Sequence, residues 1–378
     1  MRVMMVAGDP ISCDNYGGVE EHTGNLIRYL SNIEQLDLQV FIFPNPYTIR
    51  QRRIHYLNRL TGKRLLYPLI GILDVIRLKK IIKRSMPDIV HFQGTSPLFC
   101  IAALLIQRKY SVIITMHGIL MRETRYRSEG NLILGILSRY IERYTVIKLE
   151  HLIVVAPQIK NIINIRKNRT YVVPNGVDLN EIEKVAPAII EKEHLIMFIG
   201  SLVELKGVHI LIEALRVAKL SIPDIHLLVA GSGPQEMRLK EMVLASGLND
   251  NVSFLGYLTG EAKFSHIKAA MFLIVPSLWE SLPIVVLEGM ACSKAIVASN
   301  VGGIPYLIEN RINGYLVEPG DVQDLAQKII LLLENDEVLV SMGKASLEKV
   351  REFTWENIAR ETFEVYSTII NSSKNAGE

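Results

Sequence analysis

The chain has 378 residues, 49% of them hydrophobic and 21% charged, with 25 Gly and 15 Pro, a balance that excludes disordered, collagen-like and coiled-coil classes. At roughly 100 to 200 residues per domain, this length predicts two domains, each able to bury a full core. The formal charge of +3 conceals a division: residues 1–174 carry 25 Lys and Arg against 12 Asp and Glu, a net +13, which leaves the remainder at −10.

The first strand, RVMMVA, runs into Asp9, an acid where a secretory signal would continue its apolar core, so a cytoplasmic location is expected. The loop that follows places Gly17 and Gly18 just before an amphipathic helix from about Val19. Glycines there either admit a phosphate or sugar to backbone N–H groups at a helix N-terminus or simply make a turn. No GxGxxG dinucleotide fingerprint is present in this loop, and the later AGSGPQE matches it only in part. LQVFIF, DIVHF, SVIITMH, HLIVVA and TYVVPN are the remaining strands of the first half. Its longest apolar run, LLYPLIGILDVI from Leu65 to Ile76, contains Asp74 and falls short of the ~18 residues a spanning helix needs.

The turn-rich PNGVDLN and a polar stretch to His194 predict a linker over residues 175–194. Beyond it lie HLIMFIG, IHLLVAG, VSFLGY, FLIVPS, AIVASN and GYLVEP. Near-continuous apolar strands separated by helix-length segments indicate parallel sheets covered on both faces. Twelve strands exceed one comfortable sheet of ~10, so two doubly wound α/β domains are expected, 1–174 and 195–353. Cys13, Cys100 and Cys292 are odd in number and widely separated, against both a disulfide framework and a zinc site.

In open parallel sheets ligands sit beyond the carboxyl ends of the strands, and two such edges facing each other would make a cleft. GSLVELKG follows a strand and opens a helix, with Lys206 near the first turn. A lysine there meets a diphosphate with charge and helix dipole in its favour, or is simply a solvated surface cation. In SLWESLPIVVLEGMA, Glu280 lies in a loop before a helix whose first turn is expected to contain Pro283, and Glu288 lies inside that helix among apolar residues. A buried carboxylate must find donors, from ribose hydroxyls or from backbone.

Glu280, seven residues and then Glu288 resembles the paired-glutamate signature of retaining glycosyltransferases of family 4, which have the GT-B fold. GGVEEH, TMHG, VVPNGVD, GSLVELKGV, LLVAGSGP, VSFLGY and GGIPYLIENRINGYLVEPGD extend the resemblance, in order, over nearly the whole chain. The resemblance implies two Rossmann-like domains facing a central cleft, an N-terminal acceptor domain and a C-terminal nucleotide-sugar domain, with a helix over about 354–371 crossing back onto the first. It implies transfer of a hexosyl unit from a UDP-sugar or GDP-sugar to a saccharide or lipid-linked glycan, without a required metal or other cofactor. By the same likeness Glu280 would hydrogen-bond the sugar, Glu288 the ribose and Lys206 the diphosphate, with Ser201, Ser281, Leu282 and Pro283 among the donor-binding residues. Gly17 and Gly18 would border the sugar and phosphates, Gly256 and Tyr257 the base, and His117 the transferred sugar. Front-face transfer is favoured, since no residue matched to the family has the role of a carboxylate nucleophile. Ser201 stands where the family commonly has Arg, and Tyr306 where Glu is frequent. An epimerase of the same fold and an inactive nucleotide-sugar-binding partner are the alternatives.

Residues 50–84 contain 11 Lys and Arg and a single acid, Asp74, interleaved with Tyr56, Leu60, Leu65, Tyr67 and Ile70. This pattern, and that of RETRYRSEGNLILGILSRYIERY, suits a peripheral helix on an anionic membrane, or an ordinary charged helix face over the sheet. No nucleic-acid-binding motif accompanies the basic charge, so nucleic acid is not expected as a partner.

Overall fold

The computed structural model describes residues 1–8, 18–43, 47–50, 53–55, 67–118, 132–163 and 169–375. Two compact units form: one gathers the chain up to Asn175 and again from Trp355 on, and the other includes Gly176–Thr354.

The first unit is built on β1 (Arg2–Gly8), β2 (Asp37–Phe43), β3 (Tyr47–Arg50), β4 (Arg53–His55), β5 (Ile89–Gln93), β6 (Ser111–Met116), β7 (His151–Val154) and β8 (Arg169–Val172). They form one sheet in the order β4-β3-β2-β1-β5-β6-β7-β8. The strands are parallel except for β3 and β4, which add as an antiparallel hairpin with Ile49 opposite Ile54. All twelve expected strands are present, and the hairpin adds two that were not expected; within the basic stretch 50–84, Arg53–His55 is strand and Tyr67–Ser85 is helix. In the sequence this hairpin carries Arg50 and Arg53. Its charge pattern reads equally as a basic helix face.

The helices of this unit include α1 (Gly18–Leu30), α2 (Tyr67–Ser85), α3 (Pro97–Ile106) and α4 (Leu132–Lys148). In α1, Glu20 and Glu21 lie in the first turn and Arg28 in the last, each complementing the helix dipole. His22, Leu26 and Leu30 recur every four residues and face the core. The C-terminal helix, Trp355–Asn375, packs against α1 and buries Trp355, Ile358, Thr362, Tyr366 and Ile369 along one stripe. Burial of Ile358 and Ile369 contributes about 1.5 to 3 kcal/mol each.

The second unit holds β9 (Leu195–Ile199), β10 (His226–Ala230), β11 (Val252–Gly256), β12 (Phe272–Val275), β13 (Ala295–Ser299) and β14 (Gly314–Val317), all parallel, in the order β11-β10-β9-β12-β13-β14. Its helices include α5 (Val208–Ala218), α6 (Gly260–Ala269) and α7 (Ile284–Ala291). The stretch after Asn175 is fastened to this unit. Asp178 caps a short helix by accepting from Glu181 N–H at 3.0 Å, Lys268 Nζ donates to the carbonyls of Glu183 and Val185, and Ala188 N–H donates to Ser265 O. Both units are doubly wound α/β folds.

Candidate functional site

In the second unit the chain winds outward from β9 through β10 to β11, then returns to place β12 on the opposite side of β9. The β9/β12 junction is therefore the switch point, where diverging loops leave room for a ligand. Lys206 closes a single 3-10 turn, Glu204–Lys206, just after β9. Gly207 follows in a left-handed conformation, φ 68°, and a Cβ there would lie 2.0 Å from the carbonyl oxygen of Pro276. Only glycine permits that approach. Leu278 N–H also donates to Leu205 O at 2.8 Å, so the loops after β9 and β12 are held edge to edge.

This places Lys206 Nζ 2.5 Å from Glu280 Oε1, and Ser277 Oγ donates to the same oxygen at 2.9 Å. Both bonds converge on Oε1, so Oε2 keeps its capacity to accept. Glu280 is 8% exposed, and its backbone is held by the loop after β13. Gly302 has φ 54°, and a Cβ on it would fall 1.6 Å from the Glu280 carbonyl oxygen, which also accepts from Gly303 N–H at 3.4 Å. Ser281 Oγ is buried and has no hydrogen-bond partner among the described residues, a state that calls for an explanation in a folded protein. Pro283 is the N-cap of α7, one position earlier than expected, with Ile284 the first helical residue. Leu282 is buried beside it.

Glu288 lies buried in α7 as expected, and Lys263 of α6 donates to its Oε1. The Lys263 ammonium also sits 4.9 Å from the Phe264 ring centroid. A lysine thus supplies the donor the sequence reading sought in ribose or backbone. Nothing in the spacing marks Lys263, because the pair is joined only when α6 and α7 come together on the sheet. Ser201 is exposed after β9. Gly256 ends β11 with φ 70° and its carbonyl accepts from Gly231 N–H at 2.7 Å, and Tyr257 beside it is 49% exposed.

In the first unit the same reversal of winding falls between β1 and β5. Gly18 is the exposed first residue of α1, and Gly17 lies outside the described residues. His117, half-buried just after β6, bonds Gln93 Oε1 through Nε2 at 2.9 Å. A carbonyl oxygen only accepts, so the proton of His117 is on Nε2. The amide nitrogen of Gln93 lies 3.3 Å from His91 Nε2, which also lies 2.7 Å from Thr115 Oγ1. With Gln93 and Thr115 donating to that nitrogen, His91 carries its proton on Nδ1 and donates to Tyr366 Oη at 2.6 Å. The ring of His22 stands edge-on to that of His117, with centroids 4.5 Å apart, and to that of Trp355 at 5.2 Å. Burial pushes His22 down to about 4, opposed by a hydrogen bond to the Asn175 side chain. Burial pushes His91 to about 3 and holds His117 well below the usual histidine range. All three imidazoles are neutral at pH 7. Of this string only His117 was legible as a site residue.

Among the described residues no three His, Cys, Asp or Glu side chains gather as a metal site would need. No described helix is long and apolar enough to cross a membrane.

The family model described as Glycosyltransferase Family 4 matches residues 16–181, and that of Glycosyl transferases group 1 matches residues 180–349. An uncharacterized glycosyltransferase of Methanocaldococcus jannaschii is 29% identical over 375 residues, covering 98% of this chain and 99% of its own. The N-acetyl-alpha-D-glucosaminyl L-malate synthase of Bacillus anthracis is 26% identical, covering 82% of each. Among solved structures, a sucrose-phosphate synthase from Thermosynechococcus elongatus superposes with a TM-score of 0.80 at 22% identity, over 98% of this chain and all of that one. HepE from Anabaena in complex with UDP-glucose gives 0.74 at 19% identity, over 97% of this chain and all of that one. At these identities the structural likeness establishes the fold.

Proposed function

The chain belongs to glycosyltransferase family 4, with the GT-B fold, and we propose that it transfers a hexosyl unit, with retention, from a UDP- or GDP-sugar to a saccharide or lipid-linked glycan. The observation that carries this reading is the Lys206–Glu280 pair at the β9/β12 switch point, with Glu280 Oε2 open beside it. A nucleotide-sugar donor has an anionic diphosphate and a neutral, hydroxyl-rich sugar. Lys206 matches the first, and the free oxygen of Glu280 accepts from the second. The UDP-glucose bound by the Anabaena neighbour supports a donor of this class.

As the bond from the anomeric carbon to the diphosphate breaks, negative charge grows on the leaving oxygen. A fixed cation lowers the barrier most at that point, because it needs no reorganisation as the charge develops. Lys206 is the residue for this role. The acceptor hydroxyl attacks from the same face, its oxygen forms the new bond, and its proton passes to the departing phosphate oxygen. Glu288 holds the ribose end of the donor, with Lys263 orienting its carboxylate. Neutral His117, fixed through Gln93, keeps Nδ1 as an acceptor for a sugar hydroxyl. Gly18 at the start of α1 leaves backbone N–H groups open to an anion.

The test is release of UDP or GDP from a panel of nucleotide sugars, with the anomeric configuration of the product read by NMR. Retention with no trapped glycosyl-enzyme is expected. Inversion, or a sugar found covalently on a side chain, would contradict the proposed course.

A further inference from the structure

We propose that the outer face of α3 and α4 in the first unit is a docking surface for an anionic lipid membrane. This goes beyond the transfer reaction and does not depend on it. The strands advance in one direction from β5 through β6 to β7, and right-handed crossovers therefore lay α3 and α4 on the same side of the sheet. The two helices pack together, tied where Thr95 donates to the buried carboxylate of Glu142 at 2.6 Å. Their inner faces are accounted for by Phe99, Ala103 and Ile106 on α3 and by Thr145 and Val146 on α4, all buried.

The outer faces are apolar as well. Ile136, Tyr140, Tyr144 and Ile147 form one stripe along α4, with Leu137 beside it, and each is between 46% and 69% exposed. Ile101 and Leu105, one turn apart on α3, extend the surface at 39% and 53%. Single exposed apolar residues are ordinary, but a continuous stripe marks a surface that is covered in use.

Charge identifies the cover. Exposed cations surround the stripe: Arg108 and Lys109 after α3, Arg143 and Lys148 on α4, and Lys80 and Arg84 on the adjoining α2. Among the described side chains of α2, α3 and α4 the one acid is Glu142, and it is buried. A two-fold contact with a second copy would set these cations against each other. Anionic headgroups neutralise them while the apolar stripe enters the acyl boundary. The tyrosines suit that boundary, with an apolar ring and a polar tip, and Lys148 Nζ lies 5.7 Å from the Tyr144 ring centroid. Of the two basic stretches in the sequence, the second, RETRYRSEGNLILGILSRYIERY, supplies α4 and its exposed stripe.

The experiment is flotation of the full chain with vesicles of phosphatidylcholine, with and without phosphatidylglycerol. Recovery with the anionic vesicles is expected to exceed that with neutral ones by about tenfold or more and to fall as salt is raised. The exposed triple variant Ile136→Ser/Tyr140→Ser/Tyr144→Ser is expected to lose about tenfold or more of that binding, with unchanged circular dichroism and unchanged nucleotide release with soluble acceptors. Arg143→Glu/Lys148→Glu should lose it similarly. No flotation, equal recovery with neutral vesicles, full binding by both variants, or a dimer in solution that the triple variant converts to monomer would each overturn the proposal.

Discussion

Glu280 is held at both ends, its carboxylate by Lys206 and Ser277 and its backbone by the glycines after β13. Replacing Lys206 by Met leaves a nearly buried carboxylate with one hydroxyl donor, and should cost about 1 to 3 kcal/mol, less than a fully buried pair because the lysine is partly solvated. Urea unfolding measures that loss, and the proposed leaving-group role adds a fall of about 10² to 10³ in kcat. Lys206→Arg should recover most of the stability. Gly302→Ala forces a Cβ against a backbone carbonyl at positive φ, and should cost about 2 kcal/mol or more because neither group can swing aside. Wild-type unfolding for that variant would show that the loop after β13 does not clamp Glu280. The sequence singled out Glu280 and Lys206 separately, from a loop acid and a lysine at a helix start. Their partnership with Ser277, and that of Glu288 with Lys263, became visible only once the strands were ordered.

At the scale of elements, the positions of the sites follow from the two reversals of strand order, at β9/β12 and at β1/β5. The strands themselves were legible because both faces are covered, which makes each a continuous apolar run. The β3–β4 hairpin was not, since an edge ladder needs no apolar run and its arginines follow no strand pattern. The histidine string was illegible for a different reason: it joins β5, the end of β6, α1 and the C-terminal helix, and Tyr366 lies 275 residues from His91. Its titration makes a prediction. His22 and His91 are buried neutral, at about 4 and about 3, below the ordinary histidine value. The unfolded chain therefore binds more protons below pH 6.5, and stability is full above that pH and lost as pH falls. Each histidine should cost about 1.4 kcal/mol per pH unit below 6.5 until its folded value is reached. Thermal unfolding between pH 7 and 4.5 should show that slope, shallower in His22→Asn. A stability independent of pH over this range would mean that these imidazoles are not neutral inside the fold.

Across the whole molecule, the net +13 and −10 fall on the two sides of residue 174. Among the described residues of the first unit, exposed cations lie on helices beside an apolar stripe, and the second unit carries an acidic excess in spite of the lysines that pair with Glu280 and Glu288. The family was legible in the sequence because its motifs sit in the loops after strands, where the fold requires particular residues. The base and sugar of the proposed donor were not, since no motif in the sequence specifies them. Transfer without a required metal predicts full activity in EDTA, and an absolute dependence on manganese would refute it. The most direct test of the central claim is thermal stabilisation of the purified chain by a panel of UDP- and GDP-sugars, repeated with Lys206→Met and Glu280→Ala. The account predicts that at least one nucleotide sugar raises the wild-type Tm and that both variants lose the rise. No rise with any of them, or an equal rise in both variants, would contradict it.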